Sequence, residues 1–160
     1  MPRGGKRVRA GAALALACAV VAAAGCSSNE DRELPAACLA GADAYLQALT
    51  AAPEQVRLQG ETPVSECLLP EQEGGQLATV GKEIVTAATV LNREAQGDPE
   101  GAAALQLGYL VGAIERGAEG IHADLVRRVN SAARYSPGGL LPPKFERTFG
   151  RGYAAGLESG

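Results

Sequence analysis

The sequence predicts an all-α fold, a small bundle of four to five helices with one disulfide, after an N-terminal signal peptide. Three observations lead to this prediction. Downstream of the first thirty or so residues, apolar side chains recur at intervals of three and four, which places them on one face of a helix. Aromatic residues make up only 4% of the chain, and the alternating pattern of a β-strand is scarce. Two cysteines, Cys38 and Cys67, lie in the helical part and are free to pair.

Residues 1–25 have the composition of a secretory signal peptide. Basic side chains without an acid come first, and an uncharged apolar run over residues 10–25 follows. The run is shorter than the roughly 20 residues that a transmembrane helix needs, and polar Ser27 and Ser28 follow it closely. We therefore expect residues 1–25 to be a cleaved signal peptide. Retention as an uncleaved anchor is the alternative.

The end of this run, Ala23-Ala24-Gly25-Cys26, resembles the lipobox of bacterial lipoproteins, with Ala23 where leucine is usual. The resemblance implies cleavage before Cys26, lipidation of its sulfur, and attachment to the extracytoplasmic face of a cell membrane. Two or three acyl chains hold a domain firmly, because each buried methylene adds roughly 0.8 kcal/mol. Residues 26–33 would then be a lipidated tether and residues 34–160 the helical domain. Ordinary signal cleavage after Ala24 is the competing interpretation.

Each of the four cysteines can be assigned a role. Cys18 leaves with the signal peptide and Cys26 takes the lipid, so Cys38 and Cys67 remain as one pair. In an oxidising compartment a disulfide is the natural assignment. Closing a loop of about 30 residues would contribute about 3 to 4 kcal/mol. A metal pair is the alternative, but the chain has no C-x-x-C spacing and one histidine.

Apolar periodicity and punctuation by proline and glycine divide the domain into helices. The first is predicted over residues 35–51, a proline-rich loop over 53–70, and a second long helix over 76–95. Asp98-Pro99-Glu100 is expected to open a third helix, whose apolar stripe continues to Val129. At Gly117 and Gly120 this stripe has either a kink or a tight turn between two helices. Pro142-Pro143 begins a last helix, with Phe145, Phe149 and Tyr153 on one face.

One constellation of polar residues invites a chemical interpretation. Glu115, Glu119 and His122, the only histidine, are spaced by four and three, which places them on one helical face. They would suit a metal-ligating or acid/base group. The alternative, which we favour, is a partly exposed histidine beside ordinary surface charges. The sequence predicts no catalytic residue, no metal site and no cofactor.

Two further patterns concern packing and charge. Gly108 and Gly112 leave one helix face nearly bare, and tight helix packing there is favoured over a binding groove. Phe145, Phe149 and Tyr153 are expected to cover the core. The last third of the chain is the more basic part, and its cations are either ordinary solvated charges or a patch for anionic headgroups or an acidic partner: Arg127, Arg128, Arg134, Lys144, Arg147 and Arg151.

Net charge excludes one class of partner. The chain has a formal charge of −3, and removing the four basic residues of segment 1–25 leaves 11 basic against 18 acidic residues, a charge of −7. Nucleic acid is therefore not expected as a partner, because phosphate binding depends on a clustered positive surface.

Two segments resemble uncharacterised lipoproteins of high-GC actinobacteria, namely LGYLVGAIERGAEGIHADLVRRVNSAARY and RTFGRGYAAGLESG. That resemblance implies no particular activity.

These observations predict a lipid-anchored, non-enzymatic binding, adaptor or scaffold module of the cell envelope. Its expected partners are the membrane, through lipid on Cys26, and an envelope protein. The first alternative is a small-ligand carrier lipoprotein, with a pocket between the glycine-bearing helix and its neighbours. The second is an envelope metal-dependent hydrolase centred on His122.

Overall fold

The computed structural model describes residues 33–135 and 138–160 of the chain. The signal peptide, Cys26 and all of the tether but its last residue lie outside these ranges. The described part contains five α-helices, three 3-10 helices and one two-stranded hairpin. The α-helices are α1 (Ala42–Leu49), α2 (Gly74–Gly97), α3 (Ala102–Gly117), α4 (Ala123–Ala133) and α5 (Pro143–Ser159). The prediction of a small all-α bundle is confirmed.

The predicted first helix over residues 35–51 is wrong in its continuity. A 3-10 helix (Ala36–Leu39) comes first, and α1 begins only after Gly41, whose φ of 90° interrupts the helix. Glu83 of α2 compensates for the missing local cap, since its Oε2 accepts a hydrogen bond from the Ala42 amide at 2.9 Å. The expected inward stripe is nevertheless present. Tyr45 is fully buried and donates its hydroxyl proton to the Cys38 carbonyl oxygen at 2.9 Å.

The proline-rich loop contains a short antiparallel hairpin, β1 (Arg57–Leu58) with β2 (Thr62–Pro63). A 3-10 helix (Val64–Cys67) follows, and its last residue forms the predicted disulfide with Cys38. The two Cα atoms are 5.4 Å apart. Both cysteines are fully buried, so the bridge joins this connection to the start of the domain from within the core.

The long helix α2 runs through Gly81 without interruption and extends two residues beyond each predicted end. Gly81 makes room for α4, because a Cβ there would be 3.2 Å from Leu125 Cδ1. The predicted apolar stripe of α2 faces the core, including Val80, Ile84 and Leu91. α1, α3 and α4 all pack against α2.

The third predicted helix divides into two. Its start at Asp98 is wrong, because α3 begins at Ala102 and Asp98 instead accepts a 3.3 Å hydrogen bond from the Glu100 amide through Oδ1. α3 ends at Gly117, whose backbone lies against the Ser65 carbonyl so closely that a Cβ would overlap it. Ala118 is extended, and a 3-10 helix (Gly120–His122) leads into α4. The sequence left a kink and a break open, and the structure has the break.

The expectation of tight packing around Gly108 and Gly112 is confirmed. A Cβ at Gly108 would overlap the Phe149 carbonyl oxygen, and one at Gly112 would overlap the Tyr153 carbonyl oxygen. Glycines of α5 are equally close to α3, with Gly152 against the Leu105 carbonyl and Gly156 against the Tyr109 carbonyl. α3 and α5 therefore contact each other through their backbones. Among the described helices, none is both long and apolar enough to cross a membrane.

Candidate functional site

His122 lies at the joint between α3 and α4, and its side chain is fully buried, so the expectation of a partly exposed histidine is wrong. Its Nδ1 accepts a hydrogen bond from the Glu119 amide at 2.9 Å, so the proton of the neutral imidazole is on Nε2. Burial lowers the pKa of His122 from its ordinary 6.5, although the Glu119 carboxylate and the Leu69 carbonyl act in the opposite direction. A general base needs a lone pair next to its substrate. Here the backbone already occupies that lone pair.

Glu119 completes a reciprocal cap at this joint. Its carboxylate accepts a hydrogen bond from the His122 backbone amide, while the His122 side chain accepts from the Glu119 amide. Such a capping box satisfies two backbone donors that a helix start would otherwise leave unpaired. The break between α3 and α4 therefore brings Glu119 and His122 together in a way that helical spacing did not indicate.

Glu115 is directed elsewhere. It lies on α3, before the break, and its carboxylate accepts the hydroxyl proton of Tyr153 on α5. Burial and this carboxylate both raise the pKa of Tyr153 above its ordinary value. The three polar residues proposed from the sequence therefore do not form one site: Glu119 and His122 form a helix cap, and Glu115 forms a hydrogen bond between α3 and α5. Within residues 33–135 and 138–160, no group of three or more His, Cys, Asp and Glu side chains is placed to hold a metal ion.

The basic residues proposed as a patch are partly paired with acids. Arg127 contacts Asp124 of its own helix at 2.7 Å. Lys144 and Arg147 of α5 both contact Glu100, at 3.5 and 3.1 Å. Arg128 and Arg151 are exposed and make no ion pair within the described part of the chain. The structure therefore spreads these cations over two helices, and pairing offsets the charge of three of them.

The aromatic face of α5 packs inward, as expected. Phe149 is buried, with its ring centroid 5.2 Å from that of Phe145 and 6.3 Å from that of Tyr153. Tyr135, just after α4, joins them at 5.0 Å from Phe149 and 5.6 Å from Tyr153. These four rings close the bundle on the α5 side.

A half-open cleft of ≈290 Å³ lies where the ends of α2 and α4 meet the start of α5. Most of its walls are apolar, and Arg134 is the one charged residue among the nine described residues that line it. Its lining consists of Asn92, Ala95, Gln96, Pro99, Ala133, Arg134, Leu141, Pro142 and Phe145. The sequence placed the pocket of a carrier beside the glycines of α3. That location is wrong, because the α5 backbone fills the space there.

The sequence contained a partial signal for this cleft. Asn92 and Gln96 are one helical turn apart, which indicates a polar strip on α2. Arg134 belonged to the proposed basic patch, but nothing local showed that it lines the same cleft as Asn92 and Gln96. No family model, curated protein or solved structure matches the chain.

Proposed function

We propose that this chain is a lipid-anchored module of the bacterial cell envelope, outside the cytoplasm, which binds or scaffolds a partner. The observation that carries the proposal is the buried Cys38–Cys67 disulfide. Disulfides persist in oxidising compartments and are rare in the cytoplasm, so the bridge supports export. It also uses both cysteines downstream of Cys26, which leaves Cys26 free for lipid.

The segment after Cys26 and the net charge of the chain also support a lipid-anchored binding module. Residues 26–33 begin with the lipobox cysteine and continue as a short hydrophilic segment, which suits a tether between lipid and domain. The formal charge of −7 after removal of residues 1–25 favours a partner that does not present a dense negative surface.

A binding role is favoured over catalysis because of His122. Its Nδ1 lone pair is engaged by the Glu119 amide, and its ring is buried at a helix joint. Both features suit a side chain that fixes the angle between α3 and α4. The metal-dependent hydrolase remains a less favoured proposal, and a His122→Asn variant that folds but loses an envelope activity would support it.

The adaptor role is tested by mild crosslinking in cells, followed by purification through a C-terminal tag and mass spectrometry. We expect one stoichiometric envelope protein attached to the wild-type chain and its loss in Cys26→Ser, which removes the anchor. Cys18→Ser is the matched control, since it changes a cysteine of the signal peptide only. Recovery of the same partner with Cys26→Ser would contradict a role for membrane attachment.

The small-ligand carrier is a second candidate, and the cleft of ≈290 Å³ favours it. Ligand pockets are commonly apolar concavities with a few convergent polar groups, and the cleft lies near the lower end of their usual size range. Native mass spectrometry of the purified chain tests this candidate. A co-purifying molecule that Gln96→Glu removes would favour the carrier over the adaptor.

A further inference from the structure

We propose that the cleft between α2, α4 and α5 binds a small amphiphilic carboxylate, with one carboxylate group and an unbranched alkyl tail of medium length. This inference rests on the binding role proposed above, but it does not depend on the lipid anchor. The cleft supplies both halves of such a site: a guanidinium with two amides, and an apolar wall.

Arg134 provides the charge for the carboxylate. It caps the end of α4 in the left-handed conformation, at φ 52°, and its amide donates to the Asn130 and Ser131 carbonyl oxygens. Glycine adopts this conformation at lower cost, so the arginine occupies this position against a backbone preference, where it is exposed and lines the cleft. The planar guanidinium fits a carboxylate with two parallel hydrogen bonds.

Asn92 and Gln96 provide further donors, from the part of the cleft that α2 forms. They lie one turn apart on α2, and both line the cleft. Each side-chain amide offers an NH₂ group, and such groups bond a carboxylate oxygen as readily as they bond water. A carboxylate between α2 and α4 can therefore satisfy donors from both helices.

Apolar residues of the cleft provide a surface for the alkyl tail. Ala95 and Ala133 have small side chains, which leaves space, and Leu141 and Phe145 close the cleft from the side of α5. The ring of Phe145 lies 5.2 Å from that of the buried Phe149, so this wall is supported by the core. At ≈290 Å³ the cleft lies near the lower end of the usual size range of ligand pockets. A medium-length alkyl chain suits a cleft of this size.

Local charge favours a single carboxylate over a phosphate. Arg134 is the one cation among the lining residues within 33–135 and 138–160, whereas the neighbouring Lys144 and Arg147 are engaged by Glu100. A monoanion is balanced by one guanidinium. A phosphate monoester, which carries a charge of nearly −2 near neutral pH, would remain partly uncompensated.

The test uses the full chain with Cys26→Ser, so that no attached lipid competes. Sodium decanoate is titrated by calorimetry, with 1-decanol as the uncharged probe of equal length, butanoate as the short carboxylate, and decyl phosphate as the alternative anion. Arg134→Gly removes the guanidinium while the glycine retains the left-handed helix end. Arg128→Gln removes an exposed cation of the same helix and is the matched control.

We expect decanoate to bind more tightly than decanol, butanoate or decyl phosphate. Arg134→Gly should weaken decanoate about tenfold and leave decanol unchanged, since a charge-assisted hydrogen bond contributes about that much. Gln96→Glu should weaken decanoate by repulsion, and Arg128→Gln should have no effect. In the wild-type spectrum, decanoate should shift the side-chain amide resonances of Asn92 and Gln96.

Three results would overturn the proposal. They are the absence of decanoate binding, equal affinity for decanoate and decanol, and tighter binding of decyl phosphate. Because the chain in this test carries no lipid, failure here leaves the membrane anchor unaffected. Conversely, loss of the anchor would leave decanoate binding unchanged, so the two proposals fail separately.

Discussion

Gly152 of α5 lies directly against the carbonyl oxygen of Leu105 on α3, at a distance that leaves no room for a Cβ. The relationship is reciprocal, since Gly108 of α3 meets the Phe149 carbonyl oxygen of α5 in the same way. Backbones this close gain dispersion contacts and Cα–H···O interactions that larger side chains would prevent. We infer that the bundle depends on small residues at this one interface.

The first prediction concerns this interface. Gly152→Ala should destabilise the protein by about 3 kcal/mol, because the new methyl group must displace backbone. Gly150→Ala is the matched control two residues earlier on α5, where an added Cβ has nothing within 4 Å. It should stabilise by about 0.5 to 1 kcal/mol, since alanine favours a helix more than glycine does. Urea unfolding of both variants measures the difference, and equal effects would contradict the packing argument.

A buried chain of hydrogen bonds yields the second prediction. The Ser159 hydroxyl donates to the Ala155 carbonyl at 2.9 Å, so at 3.1 Å Tyr109 must donate to Ser159. The Tyr109 oxygen in turn accepts the Val56 amide at 3.1 Å. Tyr109→Phe leaves that amide unpaired in the core and should cost about 1 to 3 kcal/mol.

Ser159→Ala is the companion variant, and it should cost about 1 kcal/mol because Ser159 is only partly buried. The double variant should cost less than the sum of the two, since both substitutions break one shared bond. Chemical denaturation measures all three. Strict additivity would mean that Tyr109 and Ser159 are not coupled.

The third prediction concerns the disulfide. The two cysteines are separated by 29 residues, and a closed loop of that length contributes about 3 to 4 kcal/mol in the chain-entropy model. The double variant Cys38→Ser/Cys67→Ser should therefore lose that amount. A reductant should lower the melting temperature of the wild-type protein and leave that of the double variant unchanged. A melting temperature that falls equally in both would contradict this account.

The fourth prediction follows from His122, whose pKa is lowered in the folded protein from its ordinary 6.5. Between the lowered value and about 6.5, the unfolded chain binds a proton that the folded chain does not. Stability should therefore fall as the pH drops below about 6.5, and this contribution should level off below the folded pKa. His122→Asn keeps an acceptor for the Glu119 amide but does not titrate.

The measurement is the urea midpoint between about pH 8 and about pH 5. We expect a weaker dependence on pH in His122→Asn than in the wild-type protein, whatever the lower overall stability of the variant. If both curves have the same slope between about pH 6.5 and pH 5, His122 is not the group responsible.

The positions of the long helices could be predicted from the sequence, because they depend on local apolar periodicity. α2 and α5 follow from apolar spacing and from Pro142-Pro143, and the Gly108 and Gly112 pair indicated close packing. The glycines of α5 that pack against this pair, Gly152 and Gly156, have the same spacing of four, and their role was not predicted from the sequence. The sequence does not show which helix is the partner, because that is decided by the tertiary fold.

The errors have physical causes that are not local. Gly41 interrupts the first helix because Glu83 caps the new start at Ala42, from which it is forty-one residues away in sequence. Gly117 ends α3 because the Ser65 carbonyl occupies the space of a side chain. That break pairs Glu119 with His122 and separates both from Glu115, which binds Tyr153 from α3. Helical spacing therefore grouped residues that the fold separates.

We propose that lipid on Cys26 anchors the chain outside the cytoplasm. Mass spectrometry of the amino-terminal peptide from membrane-isolated protein tests it most directly, together with metabolic labelling by an alkyne fatty acid. We predict a peptide that begins at Cys26 and carries the mass of attached acyl groups. Label should disappear in Cys26→Ser and persist in Cys18→Ser. A peptide that begins elsewhere, or a chain with residues 1–25 attached and no lipid, would contradict the claim.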